Sequence, residues 1–142
     1  MTEQNYKNHT RIVPFWHVVT PLLLIAALSG SFVVLLHSDA HTHYSAVVIS
    51  LVCFILVIFY VFIRSFALKA QDRAIRAEES LRYFILTGKP LDRQLRLGQI
   101  IALRFASDAE FPALAKKAVE QKLSSKEIKQ AIQNWRPDYN RV

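Results

Sequence analysis

The residues best suited to chemistry lie in a short polar turn between two apolar stretches. His37, Asp39, His41 and His43 place three imidazoles and one carboxylate within seven residues. Imidazole nitrogens and carboxylate oxygens are common ligands of Zn²⁺ and Cu²⁺. These four side chains are the candidate metal ligands. The competing interpretation is a polar loop in water, because the sequence names no residue that would orient the rings.

The usual sequence signals of catalysis do not occur in this chain. Its three glycines, Gly30, Gly88 and Gly98, are too scattered for a phosphate-binding loop, and there is no Gly-x-Ser-x-Gly turn. The single cysteine, Cys53, lies in an apolar stretch and excludes an intramolecular disulfide. We therefore expect no catalytic residues, no cofactor and no enzymatic activity.

Two long apolar stretches hold the polar turn between them. Residues 12–38 and residues 40–63 contain no Lys, Arg, Asp or Glu. About 20 apolar residues in a helix cross a hydrocarbon core about 30 Å thick, and a helix satisfies its own backbone groups in lipid. The first stretch is too long for a cleaved signal peptide, and a second stretch follows it closely. The sequence therefore predicts an all-α membrane protein built on a two-helix transmembrane hairpin.

The basic residues predict which side of the membrane each part occupies. All 18 Lys and Arg residues lie outside residues 12–63. Short loops rich in Lys and Arg stay in the cytoplasm, so we predict a multi-pass protein of a bacterial inner membrane with both termini cytoplasmic. The predicted parts are a cytoplasmic segment (1–11), a first span (12–37), a periplasmic turn (38–43) and a second span (44–64).

Small residues in the two spans predict where the helices approach each other. Without a hydrophobic driving force between them, helices in lipid associate through close packing at small side chains. Counting outward from a turn centred on Ala40 puts Gly30 at the depth of Ser50, and Ala27 at the depth of Cys53. These four residues are expected either to pack the hairpin or to face a second subunit.

After the second span the helix is predicted to continue into the cytoplasm as a juxtamembrane helix (65–87). Residues 66–86 contain no Gly or Pro and are rich in helix formers, whereas Gly88 and Pro90 signal a stop. Small or apolar residues recur at alternating intervals of three and four, which is the spacing of a coiled-coil seam. We call this set the alanine stripe: Ala67, Ala70, Ala74, Ala77, Leu81 and Phe84. Packing against the chain's own later helices and packing against a partner are both compatible with it.

The remaining residues, 88–142, predict a small C-terminal unit of three helices. Ser107 with Glu110, and Ser124 with Glu127, have the spacing of capping boxes at helix starts. The last predicted helix carries Ile128, Ile132 and Trp135 on one face.

The cytoplasmic part is basic. From residue 64 onward there are 16 Lys and Arg against 9 Asp and Glu. Such an excess suits anionic lipid headgroups at the cytoplasmic face or, as an alternative, a nucleic acid. The polar residues of the final helix that could contact a nucleic acid are Ser125, Lys126, Lys129, Gln130 and Gln133. The helix lacks the Arg and Asn residues that usually read bases, so we do not expect a nucleic-acid partner.

Three separated motifs of the chain resemble one family. They are QNYKNH at 4–9, ALKAQDRAIRAEE at 67–79 and IIALRFASD at 100–108. Together they resemble an uncharacterised family of small two-span inner-membrane proteins from Bacteroidetes-type bacteria. The resemblance covers nearly the whole chain and implies the topology, but no catalytic or ligand residues.

These features predict a non-enzymatic accessory or scaffolding subunit of a bacterial inner-membrane assembly. Its expected partners are the lipid bilayer and another membrane protein or a second copy of itself. The first alternative is a membrane-tethered nucleic-acid-binding protein acting through the basic C-terminal helices. The second is a metal-binding membrane protein acting through the histidine turn.

Overall fold

All regular elements in the part of the chain that the structure describes are helices, joined by turns and loops, with one isolated β-bridge. The structure, a computed structural model, describes residues 4–10 and 12–139. A π-helical turn, Phe15–Val19, leads into α1 (Thr20–Leu36), which is followed by α2 (His43–Thr87), α3 (Leu97–Leu103), α4 (Phe111–Glu120) and α5 (Ser125–Ala131). The chain divides into two compact units. We call residues 12–67 the hairpin unit, and residues 1–11 with 68–142 the helical unit.

Two helices are long and apolar enough to span a membrane. They comprise Phe15–Leu36 and His43–Thr87, and in the most apolar window of each only 6% of the residues are buried within the chain. The all-helical prediction and the two long apolar helices are therefore confirmed at this level.

The two helices of the hairpin unit meet at small residues, but not at all of those predicted. Ser31 and Ala46 are buried, and the Ser50 hydroxyl donates to the Ser31 carbonyl at 3.2 Å. Gly30 is exposed, and a Cβ added there would meet nothing within 4 Å. Within the hairpin, Ser50 therefore meets Ser31, one residue beyond the depth-matched Gly30, and one residue turns a helix by about 100°. That Gly30 faces a second subunit stays a prediction.

The π-helical turn near the start of the hairpin unit is followed by a proline. In the π-helical register the Trp16 carbonyl would accept from the N–H five residues later, but that residue is Pro21, which has none. The Tyr60 hydroxyl donates to that carbonyl instead, at 2.7 Å, and the Trp16 and Tyr60 rings stack with centroids 4.7 Å apart. This contact joins the beginning of the first apolar helix to α2.

The helical unit has one hydrophobic core, centred on α3, α4 and α5. Its largest fully buried side chains are Phe105, Phe111, Leu103 and Ile128. Tyr83 of α2 packs against this core from one side, and Trp135, after α5, packs from another. Residues 68–87 of α2 therefore belong to the helical unit through the face that carries Tyr83.

Helix boundaries follow the local signals in some places and depart from them in others. Helix α2 ends at Thr87, before Gly88 with φ +68°, as the Gly88 and Pro90 pattern predicts. The Ser124–Glu127 capping box is present, and its hydrogen bonds with Ser124 lower the pKa of the Glu127 carboxyl.

Two sequence predictions for the C-terminal unit are wrong. The α4 N-cap makes no side-chain capping bond, and the Glu110 carboxylate instead accepts from both the backbone and the side-chain amide of Asn134. Helix α5 ends at Ala131, so Trp135 is not helical and forms an isolated antiparallel bridge with Ala106. In both places a contact distant in sequence replaces the local pattern.

The packing of the hairpin unit generates a first prediction. Ala46→Leu should destabilise the hairpin by about 1–3 kcal/mol, because the added atoms enter a packed contact. Ala27→Leu, on an exposed position of α1, is the matched control and should change little. Thermal unfolding of both variants in detergent, followed by circular dichroism, measures the difference. Equal melting temperatures would show that Ala46 does not lie at the helix contact.

Candidate interaction surface

The histidine turn does not gather its four candidate ligands. The His37 ring lies 2.9 Å from the Val33 carbonyl, and the His43 ring lies 2.8 Å from the Ser38 hydroxyl. Among the residues that the structure describes, no three His, Cys, Asp or Glu side chains are grouped as a metal site requires. His41 is exposed.

Asp39 caps the start of α2. Its carboxylate accepts from the Thr42 hydroxyl at 2.7 Å and from the Thr42 N–H at 2.9 Å. These bonds, the hydroxyl first, lower the pKa of the Asp39 carboxyl. A lowered folded-state pKa means that this stabilisation is present above the unfolded-state pKa and is lost as the pH falls through the folded-state value. The carboxylate therefore has a structural role in the turn.

Residues 68–87 of α2 have two contrasting faces. One face carries Ile75 and Glu79, which are 7% and 5% exposed, and Tyr83, which packs on the core. The opposite face carries the alanine stripe. Ala70, Ala74 and Ala77 are exposed, and Ala67 is half-buried.

The C-terminal end of the stripe is more apolar than its alanines suggest. Leu81 is 60% exposed and Phe84 is 53% exposed, and neighbouring Ile85 is exposed as well. The helices of the helical unit pack on the other face, so they do not cover the stripe. The chain's own later helices, one of the two packing partners that the sequence allowed, therefore do not pack against the stripe.

Two charged residues flank the stripe. Arg73 and Glu78 are both exposed, and they lie on opposite sides of the line from Ala70 to Leu81. The surface therefore combines a narrow apolar stripe with a cationic border on one side and an anionic border on the other. Contiguous exposed apolar surface with polar borders marks interaction sites in many proteins.

Arg82 fixes the orientation of α2 in the helical unit. Its guanidinium donates to Glu79 at 2.8 Å, to Asp108 at 2.7 Å and to the Ala106 carbonyl at 2.7 Å. It also lies over the Phe111 ring, 4.7 Å from the centroid. One side chain thus joins α2, the loop between α3 and α4, and the first residue of α4.

Glu79 is the buried partner of this network. Besides Arg82, its carboxylate faces the guanidinium of Arg136 at 3.8 Å. The Arg136 N–H donates to the Phe105 carbonyl at 2.7 Å, which holds the C-terminal strand-like segment on the core. A buried carboxylate is stable only when it is paired, and Arg82 supplies the closer of the two cations.

The N-terminal segment also belongs to the helical unit. The Asp138 N–H donates to the Gln4 side-chain oxygen at 2.8 Å. The His9 ring packs against Phe105 and Trp135, with centroids 5.8 Å from each. Gln4 and His9 are the first and last residues of the QNYKNH motif.

A single neutral tautomer of His9 satisfies both of its ring nitrogens. Nδ1 lies 2.7 Å from the Tyr6 carbonyl and can donate to it, while Nε2 lies 3.2 Å from the Lys129 ammonium and can accept from it. The segment is therefore held by specific polar contacts as well as by ring packing.

Sequence reasoning missed these contacts for an identifiable reason. Glu78 and Arg82 have the four-residue spacing of an ion pair on a helix, whereas Arg82 pairs with Glu79 and Asp108. The useful signal was the placement of Ile75, Glu79 and Tyr83 at intervals of four, which puts an acid on an otherwise apolar face.

The chain belongs to a family of unknown function, DUF6526, whose model matches residues 1–142. No curated protein and no solved structure matches the chain. The resemblance to a family without an assigned function is thereby confirmed over the whole chain, and the membership assigns no activity.

The Arg82 network generates a second prediction. Arg82→Met should destabilise the helical unit by about 3 kcal/mol, because it removes the nearest cation from a buried carboxylate and breaks two further hydrogen bonds. Arg76→Met, on an exposed position of the same helix, should change stability by less than about 0.5 kcal/mol. Urea unfolding of the full chain in detergent compares them. Similar midpoints for the two variants would show that the network contributes no net stability.

Proposed function

We propose that this chain is a non-enzymatic accessory or scaffolding subunit of a bacterial inner-membrane assembly. In this proposal the two apolar helices anchor it, and the alanine stripe binds a partner helix. The observation that carries the proposal is the exposure of the stripe while the opposite face of the same helix is covered. A helix with a spare apolar face gains stability by burying it against another element.

Membrane insertion is supported by where the apolar side chains lie. The core helix of a soluble protein buries most of its apolar residues, whereas here only 6% of each apolar window is buried. Exposed residues such as Leu22, Leu23, Phe54 and Phe59 would meet water in a soluble protein. In a bilayer these side chains would meet acyl chains.

Placement of both ends on one side is supported by the N-terminal segment. Gln4 and His9 precede the first apolar helix, and their partners Asp138, Phe105 and Trp135 follow the second. Segments that pack together must lie on the same side of a membrane. The Lys and Arg bias favours the cytoplasm for that side, where Arg64 and Lys69 would meet anionic headgroups.

The two alternative functions lack a comparable observation. Helix α5 spans only Ser125–Ala131, so Gln133 lies beyond it, and Lys129 is engaged with His9. This is a poor surface for reading a nucleic acid. In the histidine turn, the Asp39 carboxylate already serves as a helix cap.

A topology experiment tests the membrane part of the proposal. A reporter active only in the periplasm should be active when inserted between Asp39 and His41, and inactive when fused after Val142. A cytoplasmic reporter at the same two positions is the control and should give the opposite pattern. An active periplasmic reporter at the C-terminus would overturn the assigned orientation.

An association experiment tests the role of the stripe. Ala74→Glu should remove the chain from any larger assembly, because it places a charge at the centre of a packed apolar contact. Arg76→Glu is the matched control, since it changes charge on the same helix outside the stripe. Chemical crosslinking in native membranes, with the apparent mass as readout, compares both with the unaltered chain. If Ala74→Glu leaves the assembly unchanged, the stripe is not the binding surface.

A further inference from the structure

We propose that the partner on the alanine stripe is a second copy of this chain, packed as a parallel two-stranded coiled coil. This inference rests on the proposed function and specifies its partner. Two observations carry it: the spacing of the exposed stripe and the charges on its two borders.

The spacing of the stripe fits a coiled-coil seam. Ala67, Ala74 and Leu81 occupy one core position of successive heptads, and Ala70, Ala77 and Phe84 occupy the other. The alanines allow two helix backbones to approach closely, and Leu81 with Phe84 supplies larger apolar surface at one end. A stripe of this kind is self-complementary, because an identical stripe presents the same sequence of small and large residues at the same heights.

The charged borders select a parallel second copy. In the same heptad frame, Arg73 occupies the g position and Glu78 the following e position. In a parallel pair, a g residue of one helix faces the e residue five positions later on the other helix. Arg73 of each copy would therefore meet Glu78 of the other copy. The two-fold axis repeats this contact, so the dimer would contain two such ion pairs. An unrelated helix would need its own matching charges.

Within residues 4–10 and 12–139, the stripe positions 70, 74, 77, 81 and 84 are exposed. The buried face of α2 is held on the core by Tyr83 and by the Arg82 network, so the helix cannot rotate to bury its stripe internally. The resulting contact is isologous and closes at two chains, which limits the assembly to a dimer along this surface.

The length of the stripe explains why the membrane matters. Fewer than three heptads make a weak coiled coil in water. Two copies anchored in one bilayer have their helices confined to one layer and to one direction, which raises the effective concentration and favours the parallel arrangement. The dimer is therefore expected in membranes rather than between isolated helical units.

Cysteine crosslinking provides the first test. Cys53→Ser removes the chain's one cysteine. In that background, Ala74→Cys or Ala77→Cys should form a disulfide-linked dimer on oxidation in native membranes, since identical core positions lie close together in a parallel pair. Arg76→Cys, exposed but off the stripe, is the control and should remain monomeric. Equal crosslinking at all three positions would indicate random collision and overturn the proposal.

A charge exchange provides the second test and fixes the register. Arg73→Glu alone, or Glu78→Arg alone, should reduce Ala77→Cys crosslinking by about tenfold, because both border contacts become repulsive. Co-expression of the two variants should restore it in mixed dimers only, where both contacts are attractive again. Failure of the mixture to recover would overturn the assigned register and the parallel second copy with it.

The tests separate this inference from the proposed function. If Ala74→Glu dissolves a larger assembly while no disulfide forms at residues 74 or 77, the partner is a different protein, and the scaffold proposal stands without the dimer. If Ala74→Glu has no effect and no disulfide forms, both proposals fail.

Discussion

The contact between Glu79 and Arg82 determines how the rest of the helical unit is arranged. A carboxylate buried to 5% exposure must keep its cation, and the same guanidinium reaches the Ala106 carbonyl and Asp108. These geometric requirements allow α2 only one rotation about its own axis. Once that rotation is set, Tyr83 points into the core and the alanines point outward. The exposure of the alanine stripe is therefore a consequence of a polar contact on the other side of the helix.

Most elements of the fold could be predicted from the sequence because their causes are local. Helix formers without Gly or Pro gave α2 its length, Gly88 ended it, and Ser124 with Glu127 started α5. The departures occur where a distant residue offers a better bond. Glu110 accepts from Asn134 instead of closing its own capping box, and Trp135 pairs with Ala106 instead of extending α5.

Sequence reasoning could predict the residues of the candidate site but not their exposure. The spacing of the stripe identified its residues, but whether it was covered depended on which side the later helices packed, and that depended on Arg82. In the hairpin, depth matching found the correct region but chose Gly30, while Ser31 and Ala46 make the contact. Rotation about a helix axis is set by tertiary contacts, and a linear count carries no information about it.

The Tyr60 hydroxyl has a consequence for how the family can change. It satisfies the Trp16 carbonyl, which has no backbone partner because Pro21 lacks an N–H. In a bilayer, a carbonyl without a donor costs several kcal/mol, so loss of the hydroxyl is tolerable only if position 21 regains an amide. We therefore expect substitutions at positions 21 and 60 to depend on each other, although the two positions are 39 apart in the sequence. Tyr60→Phe should accordingly destabilise the hairpin unit more in the presence of Pro21 than in a Pro21→Ala background.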